Sequence, residues 1–241
     1  LDKEIVGVST HCDYPQGVKT KEKIGTFSDP NIERIVSLKP DVIFCTGLEQ
    51  ASIINKLKQL KLNIHVSDPT NMKELFASII DIGKETGREK QARTLIIDMQ
   101  KDIDSVTKQF KGIPKEKRPR VFVEIWNDPL MTAGKSSFLD ELIDLAGGTN
   151  IAGIANKAFT HFSPEQVIKQ DPECIILTYM YEGQPIDLFK KRLGWQGISA
   201  VRNKCVYSDI DPNILLRPGP RITKGLKEVH NRLYKTQGQS P

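Results

Sequence analysis

Residues 6–15 read VGVSTHCDYP, and within them His11, Cys12, Asp13 and Tyr14 stand in a row. Each of these side chains can bind a metal, carry a proton or stack on a ligand. An apolar run leads straight into them. Consecutive loop residues point in divergent directions, so a Cys–His nucleophile pair built from neighbours is a poor reading. The residues alone leave three uses open: a catalytic or metal site, the rim of a binding pocket, or a turn closed by Pro15.

Other chemistry-bearing patterns fail on spacing. AGKSS at 133–137 resembles a phosphate loop, but that motif needs glycine five positions before Gly134, where Pro129 stands. It is better taken as a turn entering a helix N-cap. No G-x-G-x-x-G, G-x-S-x-G or H-E-x-x-H occurs, which removes the dinucleotide, nucleophile-elbow and zincin readings. The four cysteines, Cys12, Cys45, Cys174 and Cys205, hold no C-x-x-C, so neither a zinc cluster nor a thioredoxin motif is expected. A Cys174–Cys205 bridge between neighbouring strands is left open. Nothing here nominates a reaction, and the residues alone leave an enzyme open.

What remains is a set of loops rich in aromatic and polar residues: THCDY (10–14), TGLE (46–49), WNDP (126–129), AFTHF (158–162) and YMYE (179–182). All five are read as loops at strand C-terminal ends. In parallel α/β sheets ligands bind outside the strand C-termini, and aromatics with a few polar groups suit a large, flat, partly apolar ligand.

The elements that must carry these loops alternate from end to end. Strands are expected at 4–8, 41–45, 63–66, 120–125, 174–178 and 204–208, and helices at 31–38, 51–60, 71–86, 137–146, 164–170, 186–193 and 220–234. Short apolar strands between helices predict an α/β fold with parallel-rich sheets flanked by helices. The segment 88–111 holds neither Gly nor Pro, roughly 36 Å of helix. Its apolar stripe is Ala92, Leu95, Ile96, Met99, Ile103, Val106 and Phe110. It predicts a rigid helix joining an N-terminal lobe, 1–87, to a C-terminal lobe, 112–241. The composition of the 241 residues, 38% hydrophobic and 27% charged, suits such a protein. No apolar run approaches the roughly 18–20 residues of a membrane span. The net charge of +5 is scattered, without the basic stripe that nucleic-acid binding needs.

A weak internal repeat supports two similar lobes. ERIVSLKPDVIF (33–44) aligns without gaps on EQVIKQDPECII (165–176), each a helix ended by Pro and followed by a buried strand. Ser163 is a natural N-cap, with Pro164 at the first helical position. Glu33 and Glu165 match at the helix starts. There a carboxylate offsets the positive helix end, worth about 0.3–1 kcal/mol, and the pair could also dock a basic partner.

VGVSTHCDYP, a stretch ending IGTF, NIERIVSLKPDVIF, RVFVEIWNDPLMTAGKSSFLDELIDLAGGTNI, FSPEQVIKQDPECIIL and LLRPGPRITKGLKEVH follow one another in an order that resembles class III periplasmic binding proteins. These serve ABC importers of vitamin B12, iron–siderophores and haem, and the resemblance covers nearly the whole chain. The DYP turn and its spacing look most like the cobalamin-binding branch. The resemblance implies a monomeric extracytoplasmic receptor, periplasmic or lipid-anchored, that holds a corrinoid between two lobes and performs no chemistry, with no catalytic residues and no intrinsic cofactor. Delivery would be to a permease dimer docked through Glu33 and Glu165. Carried over by position, the ligand-facing residues are His11, Phe27, Phe159 and Arg217, with Trp126 and Tyr181 as wall residues by loop position. Phe27 and Phe159 stand where the cobalamin binders have Trp. The family also places a strand and helix ahead of VGVS. Leu1–Asp2–Lys3 look like that helix's last turn, so a first strand and a signal segment are expected to be missing, leaving a sheet edge open.

Four alternatives stand beside the corrinoid reading. A haem receptor would use His11, Tyr14 or His161 as axial ligand, and a ferric-siderophore receptor would use Arg217. From other classes come a two-lobed metal-cofactor enzyme and a cytoplasmic sensor of the same fold.

Overall fold

The runs IFC, IHV, RVFVEIW and CIIL concentrate β-branched and aromatic residues, and each forms a strand in the computed structural model, which describes residues 2–47, 50–179 and 185–234. The chain divides into two compact units. The smaller is Leu1–Asp68 with Asp81–Glu89, and the larger is Pro69–Ile80 with Lys90–Pro241.

In the smaller unit, β1 (Ile43–Cys45) and β2 (Ile64–Val66) pair in parallel. They pack with α1 (Ile32–Ser37) and α2 (Ala51–Gln59) around Ile35, Cys45, Ile53, Ile54 and Leu57. The strand expected at 4–8 does not form. Asp2–Glu4 is a 3₁₀ turn, and only Val8 pairs, through a single parallel bridge to Lys23. One bridge gives no ladder, so that run stays irregular.

The larger unit holds a mixed sheet in the order β6–β4–β3–β7–β8, with β5 also paired to β3. Its strands are β3 (Arg120–Trp126), β4 (Met131–Ala133), β5 (Thr149–Asn150), β6 (Phe159–His161), β7 (Cys174–Leu177) and β8 (Val206–Tyr207). Alternation along β3 and β7 sends Val121, Val123, Cys174 and Ile176 into one core, and Phe122, Ile175 and Leu177 into the other. Burial on both faces is why these strands read as continuous apolar runs. Each such side chain contributes about 1.5–3 kcal/mol.

The first core is covered by α3 (Met72–Glu85), α4 (Glu89–Thr107), α5 (Phe138–Leu145) and α9 (Ile222–Tyr234). The second is covered by α6 (Pro164–Gln170), α7 (Pro185–Lys190) and the stretch through α8 (Ser199–Arg202). The expected 88–111 helix is α4 followed by a 3₁₀ turn, Lys108–Phe110. Ala92, Met99, Val106 and Phe110 are buried from its stripe, but Leu95 is exposed. Steps of four and three from Ala92 through Ile96, Met99, Ile103 and Val106 leave Leu95 on the flank.

The sheet is mixed: its β3, β5, β7 and β8 pairings run parallel, as expected, and one corner runs antiparallel. MTA at 131–133 pairs antiparallel with both β3 and β6, and AFTHF, expected as loop, supplies β6. Three residues are too few to show a period, so neither strand stands out in the sequence.

The repeat is a structural one. Asn31 and Ser163 occupy matching N-caps and accept hydrogen bonds from the backbone N–H of Arg34 (2.8 Å) and Gln166 (3.2 Å). Ile35 and Val167 are the matching buried residues. Lys39 (φ 47°) and Asp171 (φ 42°) both take the left-handed conformation just before the shared proline. Asp171 there is the α6 C-cap.

Candidate functional site

The opening loop is built on Gly25. Thr10 donates both its backbone N–H and its hydroxyl to the Gly25 carbonyl, each at 2.8 Å. Gly25 has φ +99°, and a Cβ there would come within 2.7 Å of the Asp29 carbonyl, so only glycine fits. Beyond it, Thr26–Asp29 closes a turn that carries Phe27, with the Asp29 N–H bonded to Thr26 Oγ1 at 3.0 Å. Gln50 reaches in from a third loop. Its amide N–H donates to the Phe27 carbonyl (2.8 Å), while its oxygen accepts from the Thr46 N–H (2.9 Å). The loops that carry His11 and Phe27 are thereby tied to each other, with His11 exposed and Phe27 partly buried.

Cys12 turns inward. Its N–H donates to the Ser9 carbonyl, its Sγ lies 3.2 Å from Ser9 Oγ, and Lys23 Nζ holds its carbonyl at 3.2 Å.

In the larger unit the β register assembles a second group. Trp126 pairs with Met131, and Met131 pairs with His161, so the three stand in one row across β3, β4 and β6. Phe159, two residues before His161, shares its face of β6. Trp126 and Phe159 are 44% and 56% exposed, high values for aromatics that a core would otherwise claim. Trp126 Nε1 donates to the Asp128 carbonyl at 2.8 Å, which fixes its ring over the WNDP turn. Arg217 lies on a separate loop of this unit, partly buried, between the 3₁₀ turn Pro212–Ile214 and α9. Tyr181, Leu48 and Glu49 fall outside the described residues. Glu33 and Glu165 are exposed in the first turns of α1 and α6. Bonds from its own backbone N–H and from Ser163 hold the Glu165 carboxyl below the ordinary glutamate value.

The AGKSS turn cannot cradle a phosphate. Gly134 and Lys135 already donate their N–H groups to the carbonyls of Ala158 (3.0 Å) and Ala155 (2.9 Å). Ser137 caps α5 by accepting from the Asp140 N–H at 3.0 Å. All four cysteines are free, so Cys174 and Cys205 are not bridged. Burial pushes the Cys174 thiol well above its usual range, with Cys205 adding to the effect. Among the described residues, no group of three or more His, Cys, Asp or Glu could hold a metal ion.

Sequence reasoning missed one cluster. Glu124, fully buried in β3, accepts two hydrogen bonds from Arg192 (2.5 and 2.6 Å) and one from the Tyr179 hydroxyl. Arg192 also donates to Asn127 Oδ1 at 2.8 Å and stacks over Trp195, 4.5 Å from the ring centroid. Burial pulls the Arg192 guanidinium down, but the bonds and charge of Glu124, with Tyr179, outweigh it and leave its pKa raised. The available signal was a carboxylate inside the apolar run RVFVEIW. The cluster anchors the turn after β3, and with it the Trp126 ring.

The Periplasmic binding protein family model matches residues 1–212. The chain belongs to that family. As a periplasmic binding protein it binds rather than catalyses.

This periplasmic binding protein is 32% identical over 239 residues to YvrC of Bacillus subtilis (strain 168), an uncharacterized ABC transporter substrate-binding lipoprotein; the match covers 97% of this chain and 74% of YvrC. It is 25% identical over 229 residues to the vitamin B12-binding protein of Salmonella typhi, covering 95% and 82% of the two chains. Its fold superposes with TM-score 0.82 on a possible iron-binding (periplasmic solute-binding) protein of Staphylococcus epidermidis ATCC 12228, at 30% identity over 97% of this chain and 91% of the other.

Proposed function

We propose that this periplasmic binding protein captures a corrinoid of the vitamin B12 type outside the cytoplasm and delivers it to the permease of an ABC importer. The row Trp126–Met131–His161 with Phe159 carries the reading. It offers flat, partly apolar, exposed area at the end of the sheet, the kind of wall a large planar ligand stacks on. The vitamin B12-binding relative supports the ligand class, and the Bacillus lipoprotein supports an importer and a membrane-surface location.

In this reading His11, Phe27, Trp126, Phe159, Tyr181 and Arg217 contact the ligand. The 88–111 helix is the stiff connection between lobes 1–87 and 112–241. Glu33 and Glu165 dock the permease, steering encounter and fixing orientation. The receptor works as a monomer.

Titration with cyanocobalamin and cobinamide tests the ligand. Binding changes the corrinoid visible spectrum and raises the melting temperature, because a ligand at a hundred times its Kd stabilises by about 2.7 kcal/mol. If both stay unchanged with each corrinoid, the corrinoid assignment falls.

A second reading is favoured by the exposed position of His161, in the row with Trp126 on the far side of Met131. It makes the cargo haem, with His161 or His11 as axial ligand. A Soret band on haemin addition, lost in His161→Ala or His11→Ala, would decide for it.

A further inference from the structure

The aligned helix starts of the two units share a feature that neither fold nor capping requires. Three residues after Glu33 stands Val36, 42% exposed, and three residues after Glu165 stands Ile168, 40% exposed. On a helix the i and i+3 side chains are neighbours on one face, so each carboxylate has an aliphatic side chain one turn along. The repeat holds at every other position that matters to the fold, from the N-caps to the buried Ile35 and Val167 and the left-handed Lys39 and Asp171. At the exposed position, packing sets no requirement. A β-branched residue there has below-average helix propensity and leaves apolar surface in water, yet both units carry one.

On the larger unit the apolar surface continues. A side-chain carbon added at Gly194 would sit 3.5 Å from Ile168 Cδ1, and the preceding Leu193 is 90% exposed. A single exposed aliphatic residue needs no explanation, but the same carboxylate-plus-aliphatic pair on two equivalent helices does.

We propose that the docking surface is this pair, used twice: Glu33 with Val36 on α1, and Glu165 with Ile168, extended by Leu193, on α6. The occupant is the membrane permease of the importer. It would present to each patch a basic side chain beside an apolar contact, as a partner made of two like subunits does. The inference rests on the permease-docking reading above. It adds that the aliphatic residues supply the desolvated centre of each contact, while the carboxylates supply steering.

The test measures binding of the whole protein to its cognate permease–ATPase in lipid nanodiscs, at low and high salt. Val36→Ser with Ile168→Ser is expected to weaken binding about tenfold or more, mainly through a faster off-rate, with the salt dependence kept. Glu33→Gln with Glu165→Gln is expected to lower the on-rate and flatten the salt dependence. Ile97→Ser, at an exposed aliphatic residue of α4 outside the patch, is expected to bind as wild type. Circular dichroism and melting curves confirm that each variant is folded, and Val36→Thr with Ile168→Thr, closer in shape, is expected to weaken binding in the same direction.

If the glutamate variants lose binding and the aliphatic ones do not, this inference is overturned and permease docking stands. Loss in neither set, or no binding by wild type, overturns both. A wild-type dimer that Ile168→Ser dissolves assigns the surface to self-association and also overturns the inference.

Discussion

Arg192 grips the carboxylate of Glu124 with two hydrogen bonds, 2.5 and 2.6 Å long, at a depth where Glu124 has no exposed surface. The geometry is bidentate, which a lysine cannot reproduce. Removing one partner strands the other charge in the interior, a loss of about 3–5 kcal/mol. Arg192→Met and Glu124→Leu should each lower stability by that order in urea unfolding, and Arg192→Lys should recover little. The double variant should be more stable than Arg192→Met alone, since no charge is left buried. A double variant as unstable as the sum of the singles would mean that the pair is not coupled.

Acid should loosen the α6–α8 connection. Asp171 Oδ1 accepts from the Ser199 N–H and Oδ2 from the Ser199 hydroxyl, both at 2.7 Å. These bonds, with the charges of Arg120 and Arg202, hold its carboxyl below the ordinary aspartate value. Stability from a depressed carboxyl is present in full above the unfolded pKa of about 3.9 and is lost as pH falls through the folded value. Asp102, lowered by Lys227 and Thr223, acts in the same direction. Stability measured from pH 6 downward should drop below about pH 4, and Asp171→Asn should flatten that acid limb while lowering stability at neutral pH.

The thiols should divide by burial. Cys45 and Cys174 are buried and burial raises both their pKa values, whereas Cys12 and Cys205 are partly exposed. Alkylation of the native protein, resolved by peptide mass spectrometry, should label Cys12 and Cys205 first. Cys45 and Cys174 should follow only under denaturant, with no peptide pair linking Cys174 to Cys205.

Gly25→Ala should damage the opening loop. The added Cβ would meet the Asp29 carbonyl and the Asn31 nitrogen at 2.7 and 2.9 Å, in a conformation that L side chains rarely adopt. A loss of about 1–3 kcal/mol is expected, read as a lower melting temperature. Because the Gly25 carbonyl holds Thr10, labelling of His11 with diethyl pyrocarbonate should also speed up. An unchanged melting temperature and labelling rate would show that the turn accommodates alanine.

Much of this architecture is legible in the chain because its strands are either clearly apolar or bounded by strong punctuation. RVFVEIW and CIIL are buried on both faces and announce themselves. The Ser163–Pro164 start of α6 and the proline after Asp171 mark a helix whose bounds came out at 164–170, as expected. The short antiparallel β4 and β6 were hidden, since MTA and FTH carry no period and owe their form to each other and to β3. Of the site, His11 could be nominated from its loop and Phe27 from the family resemblance, but the coupling of their loops through Gly25 and Gln50 depends on hydrogen bonds between segments far apart in sequence. Arg192 was invisible for the same reason. Its partner lies 68 residues away, and only the odd charge in β3 hinted that something must neutralise it.

The chain has two tryptophans, and they sit in opposite surroundings. Trp195 is 2% exposed beneath the Arg192 guanidinium, whereas Trp126 is 44% exposed at the end of β3. The molecule therefore carries its own two-channel fluorophore set. Trp195 should emit in the blue and resist iodide quenching until the core melts. Trp126 should emit further to the red and respond to whatever covers the WNDP turn. Occupancy and unfolding can thus be followed in one cuvette, without a label.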